Sequence, residues 1–219
     1  MHELTGLPSC ELPSNWTTVP LRGVLRQTRD PAPVSPGQEY PIIGVRWYGA
    51  GAYVKDIVDA ESTQATKLYR LRPGLLVYNR LFAWKGSFAL LDERFEGTYA
   101  SGEFPSFVAN EDFEVRYYYF YLLQERLWEY ISAESTGATA KSRNRWQEVR
   151  LRSLVAPRPP LPDQVVIADA IAEEDERILS TVRALGASMT SPEDSLAGSL
   201  IRERQAMISA AVLGGIDRS

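Results

Sequence analysis

The sequence has almost no cysteine or histidine, and this excludes several kinds of chemistry. Its 219 residues include a single cysteine, Cys10, and a single histidine, His2. A lone cysteine cannot form a disulfide within the chain, and a zinc site needs several Cys or His ligands. We therefore expect no metal site and no Ser-His-Asp or Cys-His catalytic relay within the chain.

Other sequence features of enzymes are missing as well. No phosphate-cradling glycine loop occurs, and Gly49 to Gly51 is too short to be a dinucleotide fingerprint. Neighbouring carboxylates at Asp92–Glu93 and Glu111–Asp112 are of a kind that usually lies on solvent-facing loops. The chain also lacks the Asn-Pro-Pro-Tyr type of motif that amino-methyltransferases carry. We expect a non-catalytic protein without a cofactor.

Long hydrophobic runs are absent, and so is a signal peptide at the start of the sequence. No segment approaches the roughly 18 apolar residues that a membrane helix needs, and the first residues have neither a basic nor an apolar signal region. Hydrophobic residues make up 44% of the chain, which excludes a wholly disordered protein. These observations predict a folded, cytoplasmic protein.

The charge of the chain is unevenly distributed. The net charge of -4 argues against a simple basic nucleic-acid binder. However, residues 163–219 hold ten acidic and five basic residues, whereas residues 1–162 hold 18 acidic and 19 basic ones. The strongest basic cluster, residues 141–158, has six basic residues against Glu148 alone. It indicates either a solvated loop and strand edge or a surface for nucleic acid.

The first part of the chain has the pattern of short strands separated by turns. After a proline-rich start, Val19 to Leu25 could form a strand or a brief helix. The Pro73-Gly74 pair suits a type II turn at a hairpin or strand corner. One amphipathic helix is predicted over Tyr117 to Ile131. Strands are predicted at Pro41–Trp47, Lys67–Leu71, Leu75–Tyr78, Ser87–Leu91 and Ser106–Ala109.

The last part of the chain is predicted to be helical. Gln164 to Leu185 forms a coiled-coil-like stripe, and a second helix follows Ser191. The two helices could fold back as a hairpin or continue as one broken arm. Their apolar stripes could form intramolecular core or contact a partner helix. The candidate partner residues are Ile167, Ile171, Ile178, Val182, Leu185, Leu200, Met207 and Ile208; Arg204 lies on the same face as the last three.

These patterns predict an α+β fold with a mixed α/β globular domain followed by long C-terminal helices. Residues 1–156 form the predicted domain and residues 163–219 the helical region. Between them, residues 157–162 contain four prolines, which indicates a stiff extended linker. The alternative function of that stretch is a ligand for an SH3-type domain.

Two glycine-punctuated loops carry side chains suited to recognition. The first follows the strand that ends near Arg46, and the second runs from Asn79 to Gly86. Arginine can bridge guanine, asparagine can bridge adenine, and lysine can neutralise phosphate. The alternative for Phe82 and Trp84 is core packing, and the alternative for the basic residues is surface solvation.

Several segments, in this order, resemble the specificity subunits of type I restriction-modification systems. They are IGVRWYGAGAYVKD, LYRLRPGLLVYNRLFAWKGSFALL, SGEFPSF, STGATAKSR, PPLPDQVVIADAI and LIRERQAMISAAVLGGID. The resemblance implies a target recognition domain that reads double-stranded DNA, followed by a helical spacer. The spacer would hold a DNA adenine methyltransferase (modification) subunit and a restriction subunit. DNA contacts are then expected from Arg46, Tyr48, Lys55, Asn79, Arg80, Trp84, Lys85, Thr139, Lys141, Arg143 and Arg145.

The chain departs from the family pattern in two ways. Family members usually carry two recognition domains and two spacer helices, whereas this chain has one copy of each. A break at residues 186–198 also interrupts a helix that is often continuous in the family. The single copy suggests a homodimer through the spacer helices; the alternatives are a second specificity chain or a truncated gene product. An adaptor in another defence or scaffold complex is the alternative function, and a stand-alone nuclease ranks third.

Overall fold

The computed structural model describes residues 12–135, 145–184 and 196–214. Its strands are β1 (Thr17–Pro20), β2 (Leu25–Thr28), β3 (Pro31–Pro33), β4 (Tyr40–Val45), β5 (Ala52–Val58), β6 (Lys67–Arg70), β7 (Leu76–Tyr78), β8 (Phe88–Leu90), β9 (Tyr99–Ala100), β10 (Ser106–Ala109) and β11 (Val155–Arg158). Its helices are α1 (Leu21–Val24), α2 (Val115–Leu122), α3 (Glu125–Ser135), α4 (Glu148–Ser153), α5 (Leu161–Ala184) and α6 (Leu196–Val212). The predicted α+β class is confirmed.

Two sheets share an apolar core. The five-stranded sheet has the order β3-β6-β9-β4-β5, and the four-stranded sheet has the order β2-β10-β7-β8. Ile43 and Val45 of the first sheet pack with Val77 and Ala89 of the second. The predicted Pro73-Gly74 turn is a strand corner, because it connects β6 in one sheet to β7 in the other. Gly74 has a φ of +78°, as a type II turn requires of that position.

The predicted helix over Tyr117 to Ile131 is wrong in one respect, because two helices occupy this region. The buried Gln124 lies at the break and donates its side-chain amide to the Tyr121 carbonyl, 3.1 Å away. The side chain of Gln205 in α6 accepts a hydrogen bond from the Glu125 N–H at 3.2 Å. This capping satisfies the amide at which α3 begins. The apolar spacing continued through the break and did not reveal it.

Helices α5 and α6 fold back on each other as a hairpin. Ile178 and Val182 of α5 pack against Ile201 of α6, and the buried Asp175 of α5 pairs with the buried Arg204, one turn further along α6. The order of the contacts reverses along the two helices, so they run antiparallel. Among the described residues, no helix is both long and apolar enough to cross a membrane.

The apolar stripes of the hairpin contact the rest of the chain. Ile167, Ile171 and Ile208 are buried in one cluster with the aromatic side chains of α2. The Tyr117 hydroxyl donates to the Val212 carbonyl at 2.9 Å. The structure therefore places these three isoleucines in intramolecular core. Leu200 and Met207 are partly buried beside the hairpin contact, and Leu185 lies outside the described residues.

The proline-rich segment is partly a strand. β11 pairs antiparallel with β1, and Pro157 lies opposite Thr18. The buried Gln164 in α5 accepts a hydrogen bond from the Glu114 N–H at 3.0 Å and donates to the Pro159 carbonyl at 2.8 Å. Residues 157–162 thus connect the helices to the sheets through backbone and side-chain hydrogen bonds.

Candidate functional site

The structure joins the two loops that the sequence selects for recognition. The first loop (residues 46–51) follows β4, and the second loop (residues 79–87) follows β7. The Tyr48 N–H donates to the Lys85 carbonyl at 2.7 Å, and the Gly49 N–H donates to the Gly86 carbonyl at 2.8 Å. The Ser87 hydroxyl donates to the Val45 carbonyl at 2.8 Å. The two loops therefore form one surface held by backbone hydrogen bonds.

The first loop contains an unusual backbone conformation. Tyr48 has a φ of 57°, which is uncommon for a residue with a side chain. Gly49 and Gly51, which follow, have φ values of 65° and 79°. The Tyr48 ring is half-buried and lies 6.2 Å from the Trp128 ring, centroid to centroid. Tyr48 therefore anchors the loop on α3, and its predicted contact with DNA stays a prediction.

A cluster of aromatic rings and one cation covers the outer side of the two loops. The Lys85 ammonium lies 3.6 Å from the centroid of the Trp47 ring and 5.0 Å from that of the Trp84 ring. The Trp47 and Phe82 rings are 5.4 Å apart. Trp84 is 38% exposed, so core packing does not account for it. Trp47 is not among the site residues predicted from the sequence.

A second cluster joins Arg80 to the segment that begins at Arg145. The Arg80 N–H donates to the Glu103 carbonyl at 3.0 Å, and the Glu103 carboxylate pairs with Arg145 at 2.9 Å. The Arg80 guanidinium also forms an ion pair with Glu148 at the start of α4. The Arg80 side chain is only 18% exposed. Arg80 and Arg145, which are far apart in the sequence, thus lie on one patch whose charges are already paired.

Glu148 is the acceptor at the centre of this cluster. Besides the bond from Arg80, its Oε1 accepts a hydrogen bond from Gln27 at 3.1 Å and faces Arg29 at 3.4 Å. Burial alone would raise the pKa of Glu148, but the bonds from Arg80 and Gln27 and the Arg80 charge together lower it. Glu148 is the one acidic residue within the predicted basic cluster, and no local sequence pattern indicates that it binds Arg80.

We expect the Glu148→Gln variant to be less stable than the wild type by about 1 to 2 kcal/mol at pH 7. Because the pKa of Glu148 is lowered in the folded state, its contribution is present above the unfolded pKa and is lost as the pH falls through the folded one. The difference between the two proteins should therefore shrink below about pH 4. Urea unfolding between pH 7 and pH 3 measures it. A difference that does not change with pH would contradict the account.

The remaining predicted DNA contacts lie in different surroundings. The exposed Arg46 guanidinium lies 4.2 Å from the Tyr53 ring centroid. Lys55 is exposed on β5. The Asn79 side chain accepts a hydrogen bond from the Leu81 N–H at 3.0 Å, which shapes the second loop. Thr139, Lys141 and Arg143 lie outside the described residues.

An open groove runs between the two loops and α5. Arg46 lines it from the first loop, Lys55 from β5 and Arg94 from the segment after β8, while Asp175 and Glu176 line it from α5. The groove has mixed charge, so it is a poorer surface for phosphate than the Lys85 cluster. Over the described ranges, no group of three or more His, Cys, Asp or Glu side chains could hold a metal ion.

Comparisons with known proteins support the fold. No protein-family model matches the chain, and no curated protein matches it. Among solved structures, the chain is similar to the HsdS subunit from Thermoanaerobacter tengcongensis, with 19% identity, a TM-score of 0.53, and coverage of 96% of this chain and 48% of that one. A chain from a structure of the type I R-M system matches with 20% identity, a TM-score of 0.53, and coverage of 95% and 48%.

The resemblance that the sequence motifs indicated is thus confirmed for the fold. It extends over nearly the whole chain, including the helices after the sheets. The chain spans about half the length of the solved subunits that it matches. At this level of identity, the similarity concerns the architecture alone.

Proposed function

We propose that this protein is the non-catalytic DNA-recognition subunit of a type I restriction-modification complex and acts in the cytoplasm. The observation that carries the proposal is the joined surface of the two loops on a fold similar to HsdS. This surface presents a cation between two tryptophans and an arginine patch beside it. Such groups suit a duplex, because they combine phosphate neutralisation with base-edge hydrogen bonding.

Different parts of the surface have different roles in this proposal. Lys85 and Arg145 contact phosphates and set the position of the duplex, since cationic side chains serve this purpose without reading sequence. Arg80 reads a base edge in the major groove after exchanging its bond with Glu148 for one with guanine. Trp84 contacts the duplex with its exposed ring. Residues 139–145 supply further contacts.

We expect the Lys85→Ala variant of the assembled complex to bind all duplex sequences more weakly. The slope of log K against log salt concentration is negative, and one fewer phosphate contact should make it less steep by about 0.9. Titration of cognate and scrambled duplexes at several salt concentrations measures both quantities. Lys67→Ala is the matched control, because Lys67 is an exposed lysine on β6. Equal slopes in the two variants would show that Lys85 does not contact the duplex.

The proposed partners are a modification subunit, a restriction subunit and a second specificity chain. We propose that two copies pair through the helical region and read a split, symmetric target. The buried stripe of α5 is used within the chain, so pairing uses other faces of the helices or requires the hairpin to open. Light scattering that shows a strict monomer at high concentration, with and without DNA, would contradict this pairing.

The function itself is tested by reconstitution with a candidate modification subunit, an adenine methyltransferase. The purified chain alone should leave DNA unmodified, and the methyltransferase alone should have little activity. Together they should methylate adenines within one sequence motif. If the chain proves dispensable for methylation, or acts on DNA by itself, the proposed function is wrong.

A further inference from the structure

Arg204 of α6 is a fully buried arginine that contacts the first loop. Its side chain is 0% exposed, although arginine is rarely buried. The Nε atom donates to the Asp175 carboxylate of α5 at 2.5 Å. The two terminal nitrogens donate to the carbonyls of Tyr48 at 2.9 Å and Gly49 at 3.1 Å. One side chain therefore links both helices of the hairpin to the loop.

The bonds from Arg204 complete the backbone hydrogen bonding of Tyr48 and Gly49, two residues of the first loop that have a positive φ. The N–H groups of Tyr48 and Gly49 bond to the second loop, and their carbonyls bond to Arg204. The positive φ of Tyr48 is therefore held from two sides. A buried charge is expensive unless it is paired and fully hydrogen-bonded. An apolar residue would fill this position on α6 at lower cost if packing were its only role.

We propose that Arg204 is a positioning residue that makes the conformation of the first loop depend on the α5–α6 hairpin. Asp175 orients the guanidinium, and the planar fork of arginine reaches two adjacent carbonyls at once. The inference rests on the proposed function, in which the first loop contacts DNA and the helical region holds the partner subunits. Packing of the helices then determines whether the loop has the conformation that binds DNA.

Hydrogen exchange of the full chain tests the positioning without DNA. In the Arg204→Met variant, the amides of Tyr48 and Gly49 should exchange at least about tenfold faster than in the wild type, because their carbonyls lose their partners. Arg204→Lys should restore part of the protection, since an ammonium can bond Asp175 but cannot form the fork. If Arg204→Met does not fold, Arg204→Lys and Asp175→Asn provide the same comparison.

The control variant is Leu68→Ala, which weakens the packing of a separate core cluster and leaves the α5–α6 contact and the bonds to the loop in place. Exchange at the core amide of Val77 reports global stability and is used to compare the variants at equal stability. Faster exchange at Tyr48 and Gly49 in the Arg204 variants alone supports the inference. Equal exchange at these amides in the Leu68 and Arg204 variants overturns it.

Binding of cognate and scrambled duplexes by the assembled complex separates this inference from the proposed function. Faster exchange in the first loop, together with a loss of at least about fivefold in the preference for the cognate over the scrambled duplex, supports both the inference and the proposed function. If the loop loosens and binding does not change, the first loop does not contact DNA. That result contradicts the proposed function of the loop, while the positioning of its backbone by Arg204 stands on the exchange data.

Discussion

The Gly86→Ala variant is expected to lose about 2 to 5 kcal/mol of unfolding free energy. Gly86 has a φ of +67°, where a residue with a Cβ atom is disfavoured by about 1 to 2 kcal/mol. A Cβ atom at this position would lie 2.3 Å from Cζ2 of Trp128. The Trp128 ring is buried, and its Nε1 donates to the Leu122 carbonyl at 2.8 Å. Displacing it adds an overpacking cost of about 1 to 3 kcal/mol.

Gly74→Ala is the matched control for this prediction. Gly74 also has a positive φ, of +78°, but no atom lies within 4 Å of the position that its Cβ would occupy. This variant should therefore lose only the conformational part, about 1 to 2 kcal/mol. Urea unfolding of both variants gives the comparison. Equal losses of unfolding free energy in the two variants would show that the Trp128 ring moves aside without cost. The second loop would then not be held against α3.

The Arg80→Ala variant is expected to lose discrimination at one base pair of the target. If Arg80 reads a base edge, its removal should reduce the preference for that base by about 1 to 3 kcal/mol. The preference for the other positions should not change. Competition binding with duplexes that each carry one altered base pair, using the assembled complex, measures the effect.

The Arg145→Ala variant distinguishes recognition of a base from neutralisation of phosphate charge. Arg145 is also paired with a carboxylate, Glu103, in the same patch, but its side chain is 43% exposed. Its removal should weaken binding to all duplexes alike. Glu148→Gln releases Arg80 from its ion pair and should keep the base preference. Uniform weakening in the Arg80 variant, as for Arg145, would mean that Arg80 supports the loop and reads no base.

The buried strand β7 was predictable from the sequence, and the edge strand β5 was not. Leu76 to Tyr78 of β7 are all buried, so their apolar run was visible as a strand. In contrast, residues 54–57 of β5 are all exposed at the edge of the five-stranded sheet. Because β5 buries little of its surface, its sequence carries no hydrophobic pattern that reveals a strand.

The loops of the candidate site were predictable, but the contacts that hold them were not. Glycines and polar residues indicate where the chain turns, and this located both loops. The bonds from Arg204 to Tyr48 and Gly49 span about 155 residues of sequence. Local patterns do not report contacts of this kind. A charged residue on the apolar face of a predicted helix was the one available signal, because a core-facing arginine needs buried partners.

The central claim is that the joined loops determine which DNA sequence the complex modifies. The most direct measurement is a map of methylated adenines in a host that has no other adenine methylation. One strain of this host expresses the methyltransferase with the natural chain, and a second strain expresses it with a chimera. In the chimera, residues 46–51 and 79–85 come from a subunit of different specificity. We predict one motif with the natural chain and a different motif with the chimera. The same motif in both strains would contradict the account.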